Sequence, residues 1–202
     1  MRRYAIAAIA ALTLCSCQSV PEGARDNCIG EFGKLTYPAA EAQPVDSTLK
    51  VKTGEAAPDF ALPAVSGETT KLSDYRGRKN VVLTFVPAAW TPVCSAQWPA
   101  YDLMQQEFEK YDAAVLGIST DNVPTLYAWE KAMQGLWFPV LSDFWPHGGL
   151  ADRYGVLRSD GTAERALFVI DKQGVIRYID VHDVNARPDM QILFNELAKL
   201  EK

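Results

Sequence analysis

From residue 29 to the C-terminus this sequence holds a single cysteine, Cys94. No C-x-x-C pair surrounds it, because Thr91 stands where the first sulfur of a dithiol site would be. A two-cysteine disulfide-exchange centre is thereby excluded from this stretch. A basic surplus is missing as well. Lysine and arginine total 20 against 25 acidic residues, a net charge of −5. Nothing is left over to neutralise a phosphate backbone, so nucleic acid is not the main partner. No apolar run approaches the ~20 residues of a membrane-spanning helix. Helical repeats and low-complexity tracts are also absent. What remains is ordinary globular material, 48% hydrophobic and 22% charged, with 202 residues to build one sizeable core and some extra sequence.

The first residues are made differently. "MRRYAIAAIAALTLCSC" has two arginines, a short apolar run from Tyr4 to Leu14, then small residues and cysteine. This is the three-part form of an export signal. Within it, Leu14 to Cys17 resembles a bacterial lipobox with Cys17 as the acylated residue. The expectation is a signal over 1–16 and a membrane-anchored lipoprotein outside the cytoplasm, periplasmic in a Gram-negative cell. Ordinary cleavage to a soluble periplasmic protein is the alternative. Residues 17–53 are rich in Pro, Glu, Ala, Gly and Ser and read as a flexible tether. That tether contains one further cysteine, Cys28.

From Gly54 the texture turns globular, and 54–202 reads as the domain. "NVVLTFVP" (80–87) and "AAVLGIST" (113–120) are continuous apolar runs, as strands buried on both faces should be. Trp98, Tyr101, Met104, Phe108 and Tyr111 recur at helical spacing between them. Residues 122–135 read as a capped helix and "FPVLSD" as a short strand. "RALFVID" and "VIRYID" flank a hairpin turn, and a helix closes the chain. The order predicts an α/β, thioredoxin-like fold with a central mixed β-sheet flanked by helices. Cys94 then falls where a buried strand hands over to a helix N-terminus, whose free N–H groups and dipole favour a thiolate. Thr91 places a hydroxyl near the sulfur, and Pro87 and Pro92 stiffen the loop.

Pro87 to Cys94 reads P-x-x-x-T-x-x-C. This resembles the peroxidatic motif of the peroxiredoxins, and Arg165 in "ERALFVIDKQG" stands where that family places its arginine. "LSDFWPHGGLADRYGV" (141–156) resembles the alkyl hydroperoxide reductase E type, a one-cysteine group. The resemblance implies a thiol peroxidase acting on hydrogen peroxide and organic, including lipid, hydroperoxides. In it Cys94 is the nucleophile, Thr91 and Arg165 orient the peroxide, and Pro87 shields the sulfur. Val93, Trp90 and Gln97 border the substrate pocket. It implies no cofactor and no metal, an external thiol or thioredoxin-like reductant, and is compatible with a homodimer. Gln97 departs from the glutamate of many relatives, and position 99 is proline where some keep a resolving cysteine. His147 and His182 read as structural. Cys28, linked to the domain by about 25 residues able to span ~25–30 Å, is the candidate resolving partner within the chain. Two rivals share the fold: a membrane-tethered thiol-disulfide oxidoreductase, which needs the absent C-x-x-C, and a non-enzymatic peroxide sensor.

Overall fold

The computed structural model of the protein describes residues 32–201. The expected signal, Cys17 and Cys28 lie outside the described residues. A short antiparallel hairpin, β1 (Ala61–Pro63) and β2 (Thr69–Lys71), comes first. Sequence reading passes over it because three-residue strands carry no period. The main sheet follows: β3 (Asn80–Phe85), β4 (Ala113–Ser119), β5 (Val140–Ser142), β6 (Arg165–Ile170) and β7 (Ile176–His182). Its order is β5-β4-β3-β6-β7, with β3, β4 and β5 parallel and β6 and β7 antiparallel. The mixed sheet and its edge hairpin match the expected thioredoxin-like class.

Every residue of β3 and β6 is buried, so each face needs a cover. Val81, Leu83 and Phe85 pack to one side, against Phe60, Leu141, Tyr154 and Phe168. Val82 and Val86 pack to the other, in the same cluster as Cys94, Trp98, Trp129 and Leu197. Among the described residues, five helices supply the layers: α1 (Pro92–Asp102), α2 (Gln105–Lys110), α3 (Val123–Ala132), α4 (Gly149–Tyr154) and α5 (Met190–Ala198). Asn122 caps α3 by accepting from the Thr125 N–H at 3.0 Å. The apolar spacing from Trp98 to Tyr111 predicts one continuous helix, but the chain breaks between α1 and α2. Trp98, Tyr101 and Phe108 are buried while Leu103 and Met104, at the break, are exposed. A turn of this kind lets both helices face the sheet without carrying Met104 into the core.

Residues 32–53, expected as part of a flexible tether, are seated on the domain. Phe32 and Val51 are buried. Lys50 N–H donates to the Tyr154 carbonyl at 3.2 Å. At Gly155 (φ +75°) the backbone of Thr48 and Lys50 approaches so closely that a Cβ would lie 2.3 Å from it. Asp46 N–H donates to Glu164 at 2.6 Å, and Glu164 is ion-paired with Arg158 at 2.6 Å, both buried. Beyond Phe32 and Val51, single polar groups and main-chain atoms make these contacts, so no hydrophobic periodicity announces them.

Candidate active site

The site is assembled where β3 ends. Because β6 runs antiparallel to β3, its first residue, Arg165, arrives beside the end of that strand. Likewise β7 pairs His182 with Arg165, so Val184, two residues on, lies next to the same guanidinium. Loop 86–91 leads from β3 into α1, with Thr91 as N-cap and Pro92 in the first turn. Ser95 N–H donates to the Thr91 carbonyl at 2.9 Å, so the N–H groups of Val93 and Cys94, nearer the helix end, have no intrahelical acceptor. Cys94 itself is only 1% exposed.

Arg165 is equally buried, at 1%. Its Nη2 lies 3.4 Å from the Cys94 sulfur and also donates to the Val184 carbonyl at 2.9 Å, which accepts from Nε as well at 3.2 Å. Its Nη1 donates to Gln97 Oε1 at 2.5 Å. These partners are a carbonyl, an amide and a sulfur. A buried cation needs a counter-charge, and the Asp183 carboxylate, held below the usual carboxylate range in part by Arg165, contributes one.

Gln97 shows why an amide fits in place of a carboxylate. Its Nε2 donates to Thr84 Oγ1 at 3.1 Å and to the Tyr101 hydroxyl at 3.2 Å, while its oxygen serves Arg165. A carboxylate would force both hydroxyls to donate. Burial pushes the Tyr101 phenol up to about 12, so it stays neutral and can act as acceptor. Thr91 Oγ1 donates to the Ala88 carbonyl at 2.9 Å. With its proton committed there, the hydroxyl offers lone pairs to a donor arriving beside the sulfur.

Sequence reading missed the groups that hold this loop. Asp121, just past β4, accepts from Ala89 N–H at 2.7 Å and from Ser119 Oγ at 2.6 Å. Its position at the carboxyl end of a buried strand was the available signal. Val184, acting through its carbonyl, and Thr84 and Tyr101, deep in the strand and helix, carry no such signal.

The remaining expected residues are placed as follows. Pro87 is buried and Val93 and Trp90 are half-buried at the loop. Trp98 is fully buried against Trp129 and Phe138. Trp145 is 71% exposed, and its ring lies 4.7 Å from that of His147. His182 pairs with Asp180 at 3.4 Å. A cleft of about 560 Å³ lined by Asn80, Tyr111, Asp112, Lys172 and Arg177 opens at the other end of the strands, remote from the sulfur.

A sequence model of the AhpC/TSA family matches residues 53–179. The chain belongs to this family of peroxiredoxins. It is 38% identical over 151 residues to alkyl hydroperoxide reductase E of Mycobacterium tuberculosis, a match covering 74% of this chain and 98% of that protein. Peroxiredoxin-2 of Cricetulus griseus is 40% identical over 141 residues, 65% of this chain and 70% of its own. Among solved structures, peroxidoxin BcpB from Mycobacterium tuberculosis superposes with a TM-score of 0.67 at 29% identity, covering 75% of this chain and 99% of that one. Reduced 2-Cys peroxiredoxin from Plasmodium vivax gives a TM-score of 0.69 at 26% identity over 75% of this chain and 82% of that one. This peroxiredoxin is accordingly a thiol-dependent peroxidase.

Proposed function

We propose that Cys94 is the peroxidatic cysteine and that it reduces hydrogen peroxide and organic hydroperoxides, lipid ones included. The observation that carries this reading is the Arg165 guanidinium at 3.4 Å from a sulfur that is itself almost wholly buried. The thiolate attacks the distal peroxide oxygen; an S–O bond forms as the O–O bond breaks, leaving a sulfenic acid. The departing oxygen takes up a proton and leaves as water or alcohol. Negative charge grows on that oxygen, where Arg165 and the free N–H groups of Val93 and Cys94 offer donors. Thr91 accepts the hydrogen of the bound hydroperoxide, Pro87 keeps solvent off the sulfur, and Trp90 and Val93 flank an organic substituent.

After Cys94 no second cysteine stands in the given sequence, so the domain runs a one-cysteine cycle with an external thiol or thioredoxin-like protein as reductant. Cys28 is the other source of a resolving thiol. It precedes Phe32 by four residues, at most ~14 Å of extended chain, and Phe32 shares the buried cluster of Cys94. Treating the full chain with one equivalent of peroxide, with a sulfenic-acid trap present, tests the reading by mass spectrometry. The trap's adduct on Cys94 is expected, and a Cys28–Cys94 disulfide in a peroxide-treated sample without the trap assigns Cys28 as the resolving thiol. A Cys94 that remains a free thiol sinks the reading.

The proposed location is the outer side of a membrane, through acylation of Cys17, beside the lipid hydroperoxides named above. Incorporation of labelled palmitate into the parent, lost in Cys17→Ser, is the expected result. Equal labelling of both rules out Cys17 as the acylated residue, and a parent without label rules the anchor out.

A further inference from the structure

Residues 32–52 precede the stretch matched by the family model, yet they touch the site from two sides. On the first, Tyr37 N–H donates to the Trp90 carbonyl at 2.6 Å, and the Phe32 ring lies 6.2 Å from that of Trp90. Trp90 holds φ at +64°, a left-handed conformation that a bulky residue keeps only where its surroundings impose it. The next residue is Thr91.

On the second side, the Pro44 carbonyl accepts from Val184 N–H at 3.1 Å. The Asn185 side chain accepts from Ala42 N–H at 3.0 Å and donates to the Ala42 carbonyl at 2.8 Å. Between these two anchors sits the Val184 carbonyl, which receives both Arg165 bonds. An arginine side chain has several rotatable bonds, so its contact with the sulfur depends on where that carbonyl is held.

We propose that Phe32–Asp46 is a strap that positions the peroxide-binding groups, with Asn185 as the positioning residue that locks it to the carbonyl holding Arg165. This rests on the reading of Cys94 as the peroxidatic cysteine. Asn185 touches neither sulfur nor peroxide; it acts by fixing the Val184–Asn185 peptide. Several other groups face the guanidinium or its neighbours. His182 lies opposite it in the ladder, with Asp180 beside that histidine. The neutral Tyr101 phenol lies behind Gln97. The Asp183 carboxyl is held below the usual carboxylate range, chiefly by the Asn185 backbone N–H, then by the Asn185 side chain, and in smaller part by His182 and Arg165. All of them remain when the strap is released.

Two substitutions break the same contact from opposite sides. Asn185→Ala removes the side chain, and with it that amide's bond to Asp183 at 2.8 Å, whereas Ala42→Pro removes the strap N–H alone. In the full chain each is expected to slow the reaction of Cys94 with hydrogen peroxide by about 10-fold. Each should also move the pH profile of Cys94 alkylation by iodoacetamide to the alkaline side, since a displaced guanidinium no longer supports the thiolate. The double variant is expected to be no slower than either single one. The proposal is overturned by single variants that keep the parent's rate, by slowed variants whose pH profile is unmoved, or by a double variant with additive loss. A parent whose Cys94 does not react with peroxide overturns the reading of the site instead, so the two failures are distinct.

Discussion

Arg165→Lys is expected to slow the oxidation of Cys94 by hydrogen peroxide by about 100-fold, or roughly 2.7 kcal/mol in activation free energy. The substitution keeps the charge, so a purely Coulombic role would leave the rate nearly intact. What lysine lacks is the fork. Arg165 reaches the sulfur, the Gln97 amide oxygen and the Val184 carbonyl together, from three different nitrogens. An ammonium is one point on a flexible stem and cannot serve three directions 1% exposed to solvent. It settles on the nearest oxygen and leaves the developing charge on the departing peroxide oxygen without its aligned donor. Gln97 Oε1 or the Val184 carbonyl is then orphaned, and a modest loss of stability accompanies the rate effect. Competition against a reference peroxidase measures the rate; a lysine variant within threefold of the parent would show that charge alone suffices.

Glu164→Leu is the second large effect, and it concerns stability. Glu164 is fully buried, and its oxygens serve Arg158 at 2.6 Å and Asp46 N–H at 2.6 Å. Removing one partner of a buried ion pair strands the other charge, which costs about 3–5 kcal/mol. Here the stranded group is the Arg158 guanidinium, left with the Gln43 carbonyl at 2.9 Å and a longer contact to Asp46 at 3.9 Å. Asp46 N–H is orphaned as well. For a chain of this size the expected fall in Tm is about 10 °C. Glu164→Gln, which keeps an acceptor for Asp46 but loses the charge, should fall between the two. Amide exchange across 42–50 should rise together with the loss of stability, because the same pair ties that segment down. A leucine variant melting within 2 °C of the parent would mean that the pair contributes nothing net. The hydrophobic side chain would then simply replace it, as happens at some buried pairs.

Adjacent residues at the entry to β6 thus divide the labour. Glu164 secures the N-terminal segment, and Arg165 faces the sulfur. Alternation along an extended chain puts neighbours on opposite faces, so a single position of β6 entry decides both contacts. A one-residue slip of that register would exchange them and leave Cys94 facing a carboxylate.

Much of the site was legible without coordinates. Thr91, Cys94 and Pro87 form a local pattern on one loop, and local spacing survives folding unchanged. Arg165 was recognisable because it opens an apolar strand in a stretch with a family signature. The long apolar runs at 80–87 and 113–120 announced the central strands, since residues buried on both faces leave no room for polar alternation. By contrast, the helix break at Leu103 and Met104 was hidden, because an apolar period persists across a turn whose exposed residues happen to be hydrophobic. The seating of 32–53 was hidden too: its composition is that of a linker, and apart from Phe32 and Val51 its contacts are made by backbone groups and isolated polar side chains.

The sequence by itself determined that one cysteine stands in a P-x-x-x-T-x-x-C pattern, that an arginine opens a later apolar strand, and that a mixed sheet carries them. Those are matters of residue type and short-range order. Only the tertiary structure decided what holds the arginine. The Val184 carbonyl, the Gln97 amide turned between two hydroxyls and a cation, and the N-terminal segment folded back on both loops come together from separate parts of the chain. No spacing rule relates Ala42 to Asn185 or Phe32 to Trp90. Their contacts exist because β6 and β7 return antiparallel to the end of β3, bringing Arg165 and Val184 to the sulfur and leaving a surface on which the preceding segment is laid.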